Sequence, residues 1–171
     1  MTVARWLDQV ALPDLPLRAA IVRRAMADIG IEETGVKNRS PYIDALLTAA
    51  GTAVGQPWCA AAVRQWYADA GAAVPPHSAA SCDVWVAWAT QRGCWRPVAS
   101  GYAPQPGDAV VYGVPGDANH IGVVARTTAR GGRSVEGNTS YAGFEREGIA
   151  VDFKPITLSR VLGYITPQAA T

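Results

Sequence analysis

The sequence contains few of the side chains that carry out chemistry: only two of its 171 residues are histidine and only three are cysteine. An odd number of cysteines excludes a framework in which every cysteine is paired, and their spacing contains no Cys-x-x-Cys and no standard zinc pattern. Lys and Arg total fifteen against fourteen Asp and Glu, a net charge of +1. This balance argues against nucleic-acid binding and electrostatic membrane binding. No apolar run approaches the ~20 residues of a membrane span.

What remains is the composition of a folded globular protein. Apolar residues make up 49% of the chain, which excludes a disordered protein. A chain of this length can bury roughly 68–70% of its unfolded surface, so a core can form without disulfides or a metal. We expect one domain over residues 1–171, with its core at about 16–166.

We expect no secretion signal at the N-terminus, because Asp8 interrupts the chain before any apolar run can follow Arg5. We therefore expect synthesis in the reducing cytoplasm with free thiols. If the protein acts elsewhere, a route other than its own signal peptide must deliver it.

Helical patterns fill the first half of the chain and strand patterns fill the second. Predicted helices cover 16–29, 41–50, 57–71 and 81–93, and predicted strands cover 109–112, 120–127, 133–136, 148–153 and 161–165. Ser40 and Ser81 are placed to cap the second and fourth helices. The segment 116–119 is predicted to be a loop. Helices followed by a run of strands predict an α+β domain with an antiparallel sheet.

Cys59 is the first candidate for chemistry. We place it at about the third position of a helix that Pro57 opens, where unpaired N–H groups and the helix dipole favour negative charge. A thiol there can have a lowered pKa, and the thiolate is the nucleophilic form. The alternative is a small buried hydrophobe, since Cys59 shares a helix face with Val63 and Trp66.

His120 is the second candidate because it begins an apolar strand, whereas His77 lies in a loop between helices. A hairpin at 131–132 returns the chain toward the His120 end of the sheet, which brings Glu136 and Asn138 near it. Either side chain could accept a hydrogen bond from the imidazole and fix its tautomer. The register, and therefore the choice between them, stays open.

The chain order of a Cys at a helix start, a His at a strand start and Glu or Asn on the next strand is that of papain-like cysteine enzymes. Four blocks then resemble CHAP-type peptidoglycan hydrolases, relatives of the NlpC-type cysteine peptidases, over roughly residues 20–165. The blocks are Pro57-Trp58-Cys59-Ala60-Ala61, Pro106-Gly107-Asp108-Ala109-Val110-Val111, Asn119-His120-Ile121-Gly122-Val123-Val124 and Glu136-Gly137-Asn138-Thr139.

The resemblance implies a papain-like fold, with N-terminal helices packed on the sheet, and assigns the site. Cys59 would be the nucleophile and His120 the general base. Glu136 would orient the imidazole, and Asn138 would be a fourth polar member. The backbone N–H of Cys59 would stabilise the oxyanion, with Gln56 as a second donor. No cofactor or metal is implied.

The six tryptophans have two interpretations. Core packing is favoured, because aromatic side chains dominate protein cores. The alternative places Trp58 and either Trp85 or Trp88 along a groove that binds the muropeptide.

The implied activity is hydrolysis of an amide bond in the cell-wall peptide, by an N-acetylmuramoyl-L-alanine amidase or a stem or cross-link endopeptidase. Such a bacteriolytic enzyme would be a phage endolysin or an interbacterial amidase effector, the latter with an immunity protein as partner. We expect a monomer that acts in the periplasm or cell wall and binds no nucleic acid. Two alternatives stay open: a catalytically silent papain-like binding or phage structural module, and a papain-like deamidase or transglutaminase acting on protein amides.

Overall fold

The computed structural model describes residues 15–129, 131–140 and 149–171. Within these ranges the chain forms four α-helices followed by six strands, so the predicted α+β class with an antiparallel sheet is confirmed. The helices are α1 (Leu15–Ala27), α2 (Pro41–Ala49), α3 (Cys59–Asp69) and α4 (Cys82–Gln91). None of these helices is both long and apolar enough to cross a lipid bilayer.

The six strands form a single sheet in the described part of the chain. They are β1 (Trp95–Pro97), β2 (Ala109–Val114), β3 (Asp117–Thr128), β4 (Gly131–Thr139), β5 (Ala150–Pro155) and β6 (Val161–Ile165). Their order across the sheet is β1-β6-β2-β3-β4-β5, and every neighbouring pair is antiparallel. Short 3-10 turns at Val98–Ser100 and Leu158–Arg160 precede β2 and β6 in the chain.

Two helix starts match their sequence signals. Ser40 accepts a hydrogen bond from the backbone N–H of Ile43 at 3.1 Å, and Pro41 takes the first helical position, where its missing N–H costs nothing. Ser81 caps α4 in the same way, accepting from the N–H of Val84 at 3.4 Å.

The predicted start of the third helix is wrong by two residues. We expected Pro57 to open it, but Trp58 has φ −119° and ψ 10°, outside the helical range, so α3 begins at Cys59 itself. Cys59 is therefore the first helical residue, not about the third. This position places it nearer still to the unpaired N–H groups of the helix end.

The sheet differs from prediction at two places. Residues 117–119, which we expected in a loop, belong to β3, because a two-residue turn pairs Val114 directly with Asp117. The short edge strand Trp95–Pro97 carries no alternating pattern and was not predicted. The predicted start of the fourth strand at Gly148 lies outside the described residues.

The Pro106-Gly107-Asp108 block joins the helices to the sheet. Asp108 has no exposed surface and accepts a hydrogen bond from Arg18 on α1 at 2.7 Å. Its other oxygen accepts from the Tyr102 hydroxyl at 2.9 Å and from the Gln105 backbone N–H at 2.7 Å. This buried carboxylate is fully hydrogen-bonded, so the block has a structural role at the start of β2.

Candidate active site

The Cys59 thiol lies at the meeting point of two helix N-termini. Cys59 begins α3 and Cys82 begins α4, and their Sγ atoms are 3.9 Å apart. Both side chains are buried, with residue exposures of 4% and 6%. All three cysteines, including the buried Cys94, lie within the described ranges and are free thiols.

The imidazole of His120 contacts Glu136. Its Nε2 lies 3.0 Å from Glu136 Oε2, and the two side chains are 21% and 7% exposed. The register of β3 and β4, with Val123 opposite Val135, produces this contact because it brings Gly122 opposite Glu136. Since Nε2 is engaged by Glu136, Nδ1 is the ring nitrogen left to exchange a proton with Cys59.

The second oxygen of Glu136 is held by two hydroxyl groups. Oε1 accepts from the Tyr112 hydroxyl at 2.8 Å and from Ser134 Oγ at 2.6 Å. The Tyr112 ring also stacks on the imidazole of His120, with centroids 5.8 Å apart. Glu136 is therefore fixed on both oxygens, and the imidazole is held at its edge and on its face.

Two glycines allow the close approaches that the site requires. A Cβ atom on Gly122 would lie 2.6 Å from Glu136 Cγ and 2.8 Å from the carbonyl oxygen of Val135. A Cβ atom on Gly137 would lie 2.8 Å from the indole of Trp58. Neither position has room for a side chain, so both glycines are needed for the site as it stands.

The electrostatics favour a thiolate beside a protonated imidazole. Hydrogen bonding with Cys82 is the largest influence that lowers the pKa of Cys59 well below its ordinary value, and His120 lowers it further against the opposing effect of burial. Burial acts to lower the pKa of His120, but hydrogen bonding with Cys59 and Glu136 raises it to about 10. For Glu136, burial is outweighed by the hydrogen bond and charge of His120, so its pKa is lowered.

A cleft of about 580 Å³ opens beside this cluster and is lined in part by His120 and Glu136. Its described wall also contains three cationic side chains, Lys37, Lys154 and Arg160. No described carboxylate forms an ion pair with any of the three. The described part of the cleft wall therefore carries three cations against the one carboxylate of Glu136, although the whole chain carries only +1.

Asn138 lines the same cleft but does not hold the imidazole. It adopts a left-handed backbone conformation, with φ +54°, and its Oδ1 is buried with no hydrogen-bond partner in the described structure. Of the two side chains that the sequence left as alternatives, Glu136 is the one in contact with His120. Gln56 is exposed and is not among the cleft-lining residues, so its oxyanion role stays a prediction.

The placement of Trp58 and Trp85 along a substrate groove is wrong for this structure. Both indoles have no exposed surface. Trp58 donates to Glu33 Oε1 at 3.2 Å, and Trp85 donates to the carbonyl of Ala79 at 2.9 Å. Both belong to the core between the helices and the sheet, as the favoured interpretation expected.

The two histidines have different surroundings. His77 is exposed and lies outside the cleft, whereas His120 is half-buried between Cys59 and Glu136. Among the residues whose structure is described, no group of three or more His, Cys, Asp or Glu is arranged to hold a metal ion.

Sequence reasoning missed three residues of the cluster: Cys82, Tyr112 and Ser134. Ser134 stands two positions before Glu136, so strand alternation could have placed both on one face. Tyr112 is the register partner of His120, which only the pairing of β2 with β3 reveals. Cys82 had no local signal, because the packing of two helix ends brings it to Cys59.

No protein-family model matches the chain, and no curated protein matches it either. The fold and the site by themselves define a class: an α+β protein in which a buried thiol, an imidazole and a carboxylate come together beside a cleft whose described wall carries three cations.

Proposed function

We propose that this protein is a papain-like cysteine hydrolase that cleaves an amide bond in the peptide part of peptidoglycan. The observation that carries the proposal is the position of His120, which is bound through Nε2 to a buried carboxylate and paired with the thiol of Cys59. A nucleophile, a base and an orienting group in that chain order are the parts required for acyl transfer through a thioester.

In the first half of the reaction the proton is already on the imidazole. The thiolate of Cys59 attacks the carbonyl carbon, and the electron pair of the carbonyl moves to its oxygen. The backbone N–H of Cys59, which is free of a helical partner at the start of α3, can stabilise this oxyanion. The tetrahedral intermediate collapses to a thioester as His120 gives its Nδ1 proton to the leaving amine.

In the second half, neutral His120 removes a proton from water and the resulting hydroxide attacks the thioester carbon. Collapse of this intermediate releases a carboxylic acid and restores the thiolate beside the protonated imidazole. Glu136 remains ionised throughout, since its role is to stabilise the imidazolium and to fix the ring orientation.

The basic cleft supports a substrate that carries carboxylates near the scissile amide. Peptide stems of the cell wall contain such groups, and Lys37, Lys154 and Arg160 are positioned on the cleft wall beside His120 and Glu136. Both an amidase and an endopeptidase fit this arrangement. Either could act as a phage endolysin or as an interbacterial effector opposed by an immunity protein.

One observation favours a second candidate, a catalytically silent binding module. Cys59 is only 4% exposed and is not among the residues that line the cleft. A silent module would bind the wall peptide in the cleft without releasing product.

The two candidates are separated by incubating the protein with Gram-negative and Gram-positive sacculi and identifying the soluble fragments by mass spectrometry. Wild-type protein should release fragments, and Cys59→Ala and His120→Ala should release none. His77→Ala is the matched control and should retain full activity. Equal release by wild type and Cys59→Ala would remove Cys59 from the mechanism. Binding of the wild-type protein to sacculi without release of soluble fragments would favour the silent module.

A further inference from the structure

The thiol of Cys82 contacts the candidate nucleophile and has no part in the mechanism above. Its Sγ lies 3.9 Å from Cys59 Sγ in a buried setting, and the two sulfurs face each other from the first turns of α4 and α3. A thiol has one proton to donate, and a thiolate accepts. An anionic sulfur buried from water needs donors from the protein, because an unsatisfied buried charge is costly.

We propose that Cys82 is a positioning residue that donates its S–H to the Cys59 thiolate and thereby holds the nucleophile in its anionic form. The contact alone leaves the donor open, and the direction of donation follows from the charged groups that lie on either side of it. The pKa of Cys59, which is lowered, and that of Cys82, which is raised, agree with this direction. Cys82 therefore keeps its proton while Cys59 loses one.

The groups around the two sulfurs support this direction. His120 on β3 presents positive charge to Cys59, and Glu136 on β4 stabilises that charge through its contact with the imidazole. Asp83 on α4 adjoins Cys82, where its negative charge opposes ionisation. Asp83 is itself fixed, since its Oδ1 accepts from the backbone N–H of Ala118 on β3 at 2.9 Å. These surroundings favour one anion in the pair, on Cys59.

The inference rests on the proposed role of Cys59, but its test needs no hydrolysis. The thiolate of Cys59 is titrated by ultraviolet absorbance, with the Cys59→Ser protein as the reference. Cys82→Ala and Cys82→Val both remove the S–H donor. The valine variant keeps most of the side-chain volume, so it serves as the test if the alanine variant does not fold. We expect both to move the titration midpoint of Cys59 upward by about 1–2 pH units, because a hydrogen bond to a charged group contributes about 1.5–3 kcal/mol. Cys82→Ser retains a donor and should titrate close to wild type.

The assignment of each titration is checked by alkylation at a series of pH values. Trypsin places the three cysteines on separate peptides, spanning 40–64, 65–92 and 93–126. Cys59 should be alkylated at lower pH than Cys82. Cys94→Ala is the matched control, because it removes a third buried thiol that is not part of the Cys59–Cys82 contact, and it should leave the midpoint unchanged.

Three results would overturn the inference: an unchanged midpoint in a folded Cys82→Ala or Cys82→Val protein, a shift in Cys82→Ser as large as in Cys82→Ala, or alkylation of Cys82 at lower pH than Cys59. A packing role alone would lower thermal stability in these variants without moving the midpoint. Failure of the protein to cleave sacculi would contradict the proposed function and leave the thiolate titration interpretable by itself.

Discussion

Replacement of Glu136 by Gln tests the central contact of the site. The change keeps the size of the side chain but removes the charge that lies 3.0 Å from His120 Nε2. Because Glu136 also accepts from Tyr112 and Ser134, the amide has two possible orientations. With its oxygen toward the hydroxyls, the NH₂ group faces the Nε2–H of His120 and disfavours the imidazolium. With its oxygen toward His120, the hydrogen bond survives without its charge.

The size of the effect follows from the burial of the pair. The side chains of Glu136 and His120 are 7% and 21% exposed, so solvent screens their interaction only partly. A hydrogen bond to a charged group contributes about 1.5–3 kcal/mol. If this contribution is lost in the transition state, kcat/KM falls by about 10- to 150-fold. The pKa of His120, which stands at about 10 in the wild-type protein, should also fall.

The assay is the initial rate of fragment release from sacculi, together with a titration of His120 by nuclear magnetic resonance. Asp152→Asn is the matched control, since Asp152 is the register partner of Glu136 on β5 and is not among the cleft-lining residues. The control should keep the wild-type rate. A Glu136→Gln protein with a rate within twofold of wild type and an unchanged His120 titration would refute the assignment of Glu136 as the orienting group.

Three further predictions concern the same site. Gly122→Ala places a Cβ atom 2.6 Å from Glu136 Cγ, so we expect a loss of about 1–3 kcal/mol of stability in thermal unfolding and a rate as low as that of Glu136→Gln; wild-type values for both would contradict the packing argument. The pH profile of kcat/KM should rise at a pH below the ordinary thiol range, because the pKa of Cys59 is lowered, and fall near about 10 as His120 loses its proton; an acidic limb at about 8.5 would show an unperturbed thiol. Lys154→Met should raise KM by up to about fivefold for wall peptides with free carboxylates and not for amidated ones; an equal change for both would remove charge from recognition.

The sequence predicted those features of the fold that depend on neighbouring residues. Ser40 and Ser81 mark their helix starts because a cap bonds to an N–H group three positions away. The start of α3 was misplaced because Pro57 is equally suited to the residues just before a helix, and only the backbone angles of Trp58 decide the matter. Asp117 and Asn119 are polar, yet residues 117–119 extend β3 because strand pairing across a tight turn overrides this loop-like composition.

In the candidate site, too, the sequence predicted the residues that local patterns identify and not those that only tertiary contacts bring together. Scarcity made Cys59 and His120 identifiable, since a chain with two histidines and three cysteines offers few combinations. The same scarcity gave no reason to examine Cys82, which has no spacing relationship to His120 and begins a different helix. Composition also averages charge over the whole surface, so a net charge of +1 concealed three cations on one cleft wall. Residue types can therefore nominate a candidate nucleophile and base, whereas the groups proposed to tune that nucleophile and to recognise a substrate come together only through contacts between elements distant in the chain.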